Sequence, residues 1–337
     1  RLRPGQRYAI GWLLDWFPSS LAFQQHRAGV LPAAEALTVG AVWDLPSDPD
    51  QVVLTPAELT VRTGERSTEI AATDPGRYRV ELRSARGTVL AEVTWAPPLA
   101  DVVARRAAEL LVTSPRTRAG TPRLAEAAGV VVVQYALSAG LVDDSETATD
   151  AVELFVGELL DGPERGQAGL GAFSRIVVAR EVVRGADPSL LDLPAAADGP
   201  GAGLAAAQCA LASIVTGRQP AAVRPDGPVA ERALLAPAAV GDAVLLDHVR
   251  RLGAELGAGL GGRDLGPTAG EPSAVELTAY RVALLGLVPE SLGAELEREW
   301  GVSAPTLADR AGAALLADRA LPVEALAWLC VADPQRS

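Results

Sequence analysis

Asp143-Asp144 is the chain's only adjacent aspartate pair, and it opens the run Asp143-Asp144-Ser145-Glu146-Thr147-Ala148-Thr149-Asp150. Carboxylates are hard oxygen ligands. Two or three held close together can bind Mg²⁺ against a diphosphate and stabilise the charge that develops on it. Asp143, Asp144 and Glu146 are therefore the candidate metal ligands. The same residues have a structural use. Asp144, Ser145 or Thr147 can cap a helix over 146–160, with Glu146 and Asp150 placed where acids favour its N-terminal dipole. The cap is the main expectation and metal chemistry the alternative.

Other candidate chemistry is sparse. Gly257-Ala258-Gly259-Leu260-Gly261-Gly262 matches G-x-G-x-x-G, but a helical pattern precedes it where a dinucleotide fold needs a strand. Gly199-Pro200-Gly201-Ala202-Gly203 precedes a helix and could offer backbone amides to an anion; with no strand leading in, a linker is expected. The histidines, His26 and His248, have no nucleophile nearby in sequence, and no G-x-S-x-G is present. Cys209 and Cys330 lie in apolar helical contexts and read as reduced core thiols. Two histidines and two isolated cysteines do not make a zinc site, and no cofactor is expected.

The chain lacks lysine, asparagine and methionine, and all 30 basic side chains are arginine. That composition points to a GC-rich bacterial genome and also removes chemistry. The standard P-loop needs its lysine, protein kinases need a lysine and an asparagine, and pyridoxal phosphate needs a Schiff-base lysine. The net charge is −12 and arginines are scattered, so no basic stripe exists to displace counterions from nucleic acid. Anionic membrane surfaces are disfavoured on the same grounds.

The acidic run resembles the DDxx(D/E) motif of class I terpene and prenyl synthases, over four residues only. That resemblance implies Mg²⁺ and a diphosphate substrate. Those enzymes need a second metal-binding segment, and this chain has no second aspartate pair and no asparagine. At 4% aromatic content it also has little with which to line a carbocation pocket.

The elements that must position these residues change character along the chain. Residues 1–37 read as helix, with Trp12 and Trp16 on one face. Residues 38–97 read as a β module. Strands are expected at Val52–Leu54, Glu58–Arg62, Thr68–Ala72, Arg77–Arg83 and Thr88–Trp95, separated by turn signals. In Arg77–Arg83, Tyr78, Val80 and Leu82 share one face and four charges the other, the pattern of a half-buried antiparallel strand. After Pro97-Pro98 the pattern turns helical. Helices are expected over 99–112, 122–140, 146–160, 168–184, 202–216, 229–256, 273–287, 289–299 and 305–331, the longer ones broken at Pro or Gly. The apolar run Ala127–Val142 falls short of the roughly 20 residues a spanning helix needs and reads as a buried helix.

Asp74-Pro75-Gly76-Arg77-Tyr78-Arg79-Val80 resembles the D-x-G-x-Y turn of immunoglobulin-like sandwiches, the tyrosine corner. Val80 stands where antibody domains carry cysteine, so no inter-sheet disulfide is implied. Full sandwiches of this kind run to roughly 100 residues, so a partial sandwich or small meander is expected. A Trp-rich helix followed by a β module ending in Gly76–Val80 is also similar to β modules of some von Willebrand-A-type bacterial proteins, with no function carried over.

The expected architecture is α+β: an N-terminal helix over 1–37, a short antiparallel β module over 38–97, and an all-helical region divided into 98–193 and 204–337. The expected function is non-enzymatic protein–protein binding or scaffolding, with other protein chains as partners. A Mg²⁺-dependent enzyme acting through 143–150 is the alternative. No secretory signal is visible, which makes a cytoplasmic location the expectation. Arg1 rather than Met stands first, which points to processing or, as the main expectation, to a partial reading frame; that the chain is the C-terminal part of a longer protein is a third reading.

Overall fold

The computed structural model describes residues 36–46, 52–65, 67–84, 87–161, 169–194, 201–219, 272–286, 297–298 and 303–332. The N-terminal helix up to residue 35, the helix expected over 229–256, most of that over 289–299, His26, His248 and Gly257–Gly262 lie outside them. The architecture is α+β.

Seven short strands come first: β1 (Ala36–Thr38), β2 (Val42–Pro46), β3 (Val52–Leu54), β4 (Leu59–Thr63), β5 (Ser67–Ala72), β6 (Gly76–Ser84) and β7 (Gly87–Ala96). They form two sheets, ordered β1-β7-β6-β3 and β2-β5-β4. Every pairing is antiparallel except β1 with β7, which is parallel. The module therefore begins at Ala36, inside the stretch expected to be helical, and it holds two strands that the alternation did not mark. β1 is too short to show a period. In β2 the alternating Trp43 and Leu45 are masked by Asp44 and by Pro46, a residue tolerated only at a strand edge or end.

Alternation fixes the register elsewhere. Tyr78, Val80 and Leu82 point inward while Arg77, Arg79 and Arg83 stay exposed. Trp43, Leu45, Ile70 and Ala72 from one sheet meet Val80, Leu82, Val93 and Trp95 from the other. Trp95 is fully buried, and its indole N–H donates to the Ala41 carbonyl at 2.9 Å, tying the turn after β1 to the core. A buried indole needs such a partner, because an unmet donor would cost free energy.

Eight helices follow among the described residues: α1 (Leu99–Thr113), α2 (Ala127–Ser138), α3 (Ser145–Asp161), α4 (Ala172–Val183), α5 (Ala202–Val215), α6 (Pro272–Gly286), α7 (Ala304–Leu316) and α8 (Val323–Ala332). α2 is the centre, packed by α1, α3, α4 and α8. Every residue from Ala128 to Ala136 is buried, which is why its sequence is apolar all round. Among the described residues no helix is long and apolar enough to cross a membrane. α2 starts at Ala127 rather than 122 because the preceding loop uses its own backbone groups: Arg123 N–H donates to Pro115 O at 2.7 Å, and Arg116 bridges to Pro122. One apolar cluster joins Val102, Val131 and Ile176 to Leu204, Leu285, Leu315 and Trp328, on both sides of the 194–203 stretch.

Small residues allow the close packing that so few aromatics require. Gly201, the N-cap of α5, has φ +84° and ψ 0°, and a Cβ there would lie 2.5 Å from Cζ2 of Trp328. That indole is buried against Phe173 and Tyr280, with ring centroids at 4.4 and 5.1 Å, and its N–H reaches Glu276 at 3.4 Å.

Candidate functional site

The acidic run sits at the start of α3, with Asp143, Asp144 and Glu146 all exposed. Asp144 is the N-cap. Its Oδ1 accepts the Thr147 N–H at 3.0 Å, its Oδ2 accepts the Thr147 hydroxyl at 2.6 Å, and its carbonyl accepts the Ala148 N–H. The Thr147 hydroxyl and then the Thr147 amide hold the Asp144 carboxyl below its ordinary value. Both carboxylate oxygens are thus engaged within the helix terminus. Among the described residues no three His, Cys, Asp or Glu side chains converge as a metal site.

The glycine stretch before α5 presents Gly201 to the Trp328 ring, which occupies the space beside it. Cys209 and Cys330 are both buried, and neither is in a disulfide. Burial pushes the Cys209 thiol up, and its Sγ–H donates to the Arg175 carbonyl at 3.8 Å. A thiol kept protonated in this way is a poor nucleophile at neutral pH.

The β module offers a surface of another kind. On the outer face of the four-stranded sheet, Leu54, Glu81 and Leu90 form one cross-strand row, and Val52, Arg83 and Thr88 form the next. Val52, Leu54 and Leu90 are 57%, 38% and 58% exposed. Between these aliphatic flanks runs a charged stripe. Arg83 holds Glu81 with two hydrogen bonds, at 2.7 and 3.1 Å, and Arg79 meets Glu92 at 2.8 Å. The Arg83 hydrogen bond keeps the Glu81 carboxyl below its ordinary value, so it stays an anion. Among the described residues β3 ends this sheet, and its Val-Val-Leu carries no charge or proline to discourage pairing. Sequence reading missed the face, although it left a signal: Leu90 is an apolar residue out of phase with the buried Ala91, Val93 and Trp95.

At the entry to β6 the Tyr78 hydroxyl donates to the Asp74 carbonyl at 3.0 Å, and its ring meets Trp95 edge-on at 5.7 Å. Gly76 leaves room for that ring, since a Cβ there would lie 3.2 Å from it. The same turn touches the helices, where Arg319 reaches the Asp74 carboxylate at 3.2 Å. α7 packs on β1 and β7. Arg106 of α1 is half-buried and donates to the Leu321 carbonyl at 3.0 Å, 215 residues along the chain. No protein-family model, curated protein or solved structure matches this chain.

Proposed function

We propose that this chain is a non-enzymatic protein-binding or scaffold protein, with its β module as an immunoglobulin-like docking element. The outer face of the four-stranded sheet carries the reading. Val52, Leu54 and Leu90 stand exposed beside an ordered Arg–Glu stripe, on a sheet whose last strand has no protective charge. Such a face suits docking of another chain: aliphatic flanks supply buried area, the stripe supplies register, and the open edge accepts a strand. Support for the immunoglobulin-like assignment comes from the two-sheet strand order, the parallel pairing of first and last strands, and the Tyr78–Asp74 hydrogen bond.

The test places a photo-crosslinker at Leu90 and, separately, at the exposed Val112 of α1, and compares adducts formed in native lysate. A specific adduct from position 90 that disappears with Leu54→Asp, at unchanged melting temperature, supports the proposal. If position 90 crosslinks no more than position 112, or if Leu54→Asp leaves the adduct intact, the docking role is wrong.

A further inference from the structure

A cleft of about 780 Å³ lies where the β module meets the helices. Its volume is in the range of roughly 300–1,000 Å³ typical of small-molecule sites, and junctions between structural units are where such sites concentrate. The apolar part of its lining comes from all sides: Val39 after β1, Pro97 and Pro98 in the connector, Val102 of α1, and Leu316 and Leu321 around the α7–α8 turn. Three guanidinium groups, Arg105, Arg106 and Arg319, border the same space.

Three carboxylates, those of Asp101, Glu109 and Asp318, border the cleft beside the three guanidiniums. Glu109 pairs with Arg106 at 3.0 Å, and Asp74 pairs with Arg319. Asp318 accepts the Ala320 N–H at 2.9 Å, and Asp101 lies in the first turn of α1, where the helix dipole favours an acid. Arg105 is exposed and makes no hydrogen bond or ion pair with the described residues. Arg106 is fixed by the Leu321 carbonyl and Glu109 through two of its five N–H donors, so its plane is already oriented. A cleft with both apolar and polar lining, bordered by one unpaired and one pre-oriented guanidinium, offers contacts to a ligand with an anionic head and an apolar body.

We infer that this cleft binds a small organic anion with an aliphatic body, its carboxylate or phosphate head held by Arg105 with support from Arg106. The site is independent of the outer sheet face and stands or falls separately from it.

The experiment is isothermal titration of the full chain with decanoate and decyl phosphate as probes. Acetate serves as a head without a body and decanol as a body without a head. At least one long-chain anion should bind saturably at one site, and acetate and decanol about ten-fold more weakly or worse. Arg105→Ala should lower that affinity about ten-fold, because a charge-assisted contact is removed. Its melting temperature should change little, since the exposed side chain makes no hydrogen bond or ion pair with the described residues. Arg118→Ala, an exposed arginine outside the cleft, should bind as the wild type does. Three results would each overturn the assignment: neither long-chain anion binds, Arg105→Ala binds as tightly as wild type, or decanol binds as well as decanoate.

Discussion

Gly201 is the point at which this small-residue packing can be tested most sharply. Replacing it with alanine has two costs. Alanine in the left-handed region is disfavoured by about 1–2 kcal/mol. The new methyl also overlaps the Trp328 ring, which cannot retreat because it is buried between Phe173 and Tyr280. Overpacking of this kind typically costs about 1–3 kcal/mol. The stiffer unfolded chain returns about 0.4–1 kcal/mol. The net expectation is a loss of about 2–4 kcal/mol, or a melting temperature lower by roughly 3–6 °C for a chain of this size. Thermal and denaturant unfolding followed by near-ultraviolet circular dichroism would measure it. A double-mutant cycle then isolates the cause. In a Trp328→Leu background the steric part disappears, and Gly201→Ala should cost only about 1 kcal/mol, the backbone part. If Gly201→Ala costs less than about 0.5 kcal/mol, or carries the same penalty with and without the indole, the close approach described here is not what selects glycine.

Tyr78→Phe removes the hydroxyl bond to the Asp74 carbonyl and should cost about 1 kcal/mol by urea denaturation with the fold retained. Burial first, then Asp74, raises the Tyr78 pKa; the fold therefore favours the neutral phenol, and this contribution holds at neutral pH and is lost as pH rises through the raised value. Asp144→Ala should lower the melting temperature by roughly 1–3 °C at pH 7. Because the folded Asp144 pKa is depressed, wild-type and variant should converge as pH falls through that value in a pH series of melting curves. Gln134 is fully buried and donates to the Glu181 carboxylate at 2.7 Å. Gln134→Glu sets a second carboxylate there and should destabilise by about 3 kcal/mol at pH 8, with recovery on acidification that Gln134→Leu does not show.

What the sequence made legible depended on how local the cause was. The half-buried strand at Arg77–Arg83 needs only period-two alternation, and its inward and outward sets stand where that period puts them. Most helix ends lie close to the prolines and glycines that interrupt the pattern, the starts of α2 and α3 and the end of α7 being exceptions. The cap at Asp144 is equally local, since both of its partners lie within four residues. β1 was not legible, because three residues carry no period and its partner, β7, lies at the far end of the module. The tie made by Arg106 was not legible either, because its acceptor, Leu321, is adjacent only in space. The cleft beside it is assembled from segments brought together by packing, so no motif could announce it.

The parallel pairing of β1 with β7 also has a mechanical meaning. Tension applied between the entrance of β1 and the exit of β7 draws the two strands past one another along their length. The backbone bonds between Ala36–Thr38 and Thr94–Ala96, together with Val39 N–H to Ala96 O, then share the load in shear instead of opening one after another. The indole tie from Trp95 to Ala41 braces the same seam. Beyond it only Pro97 and Pro98 separate β7 from α1. Their restricted backbone leaves little slack, so a pull on one unit is felt promptly by the other.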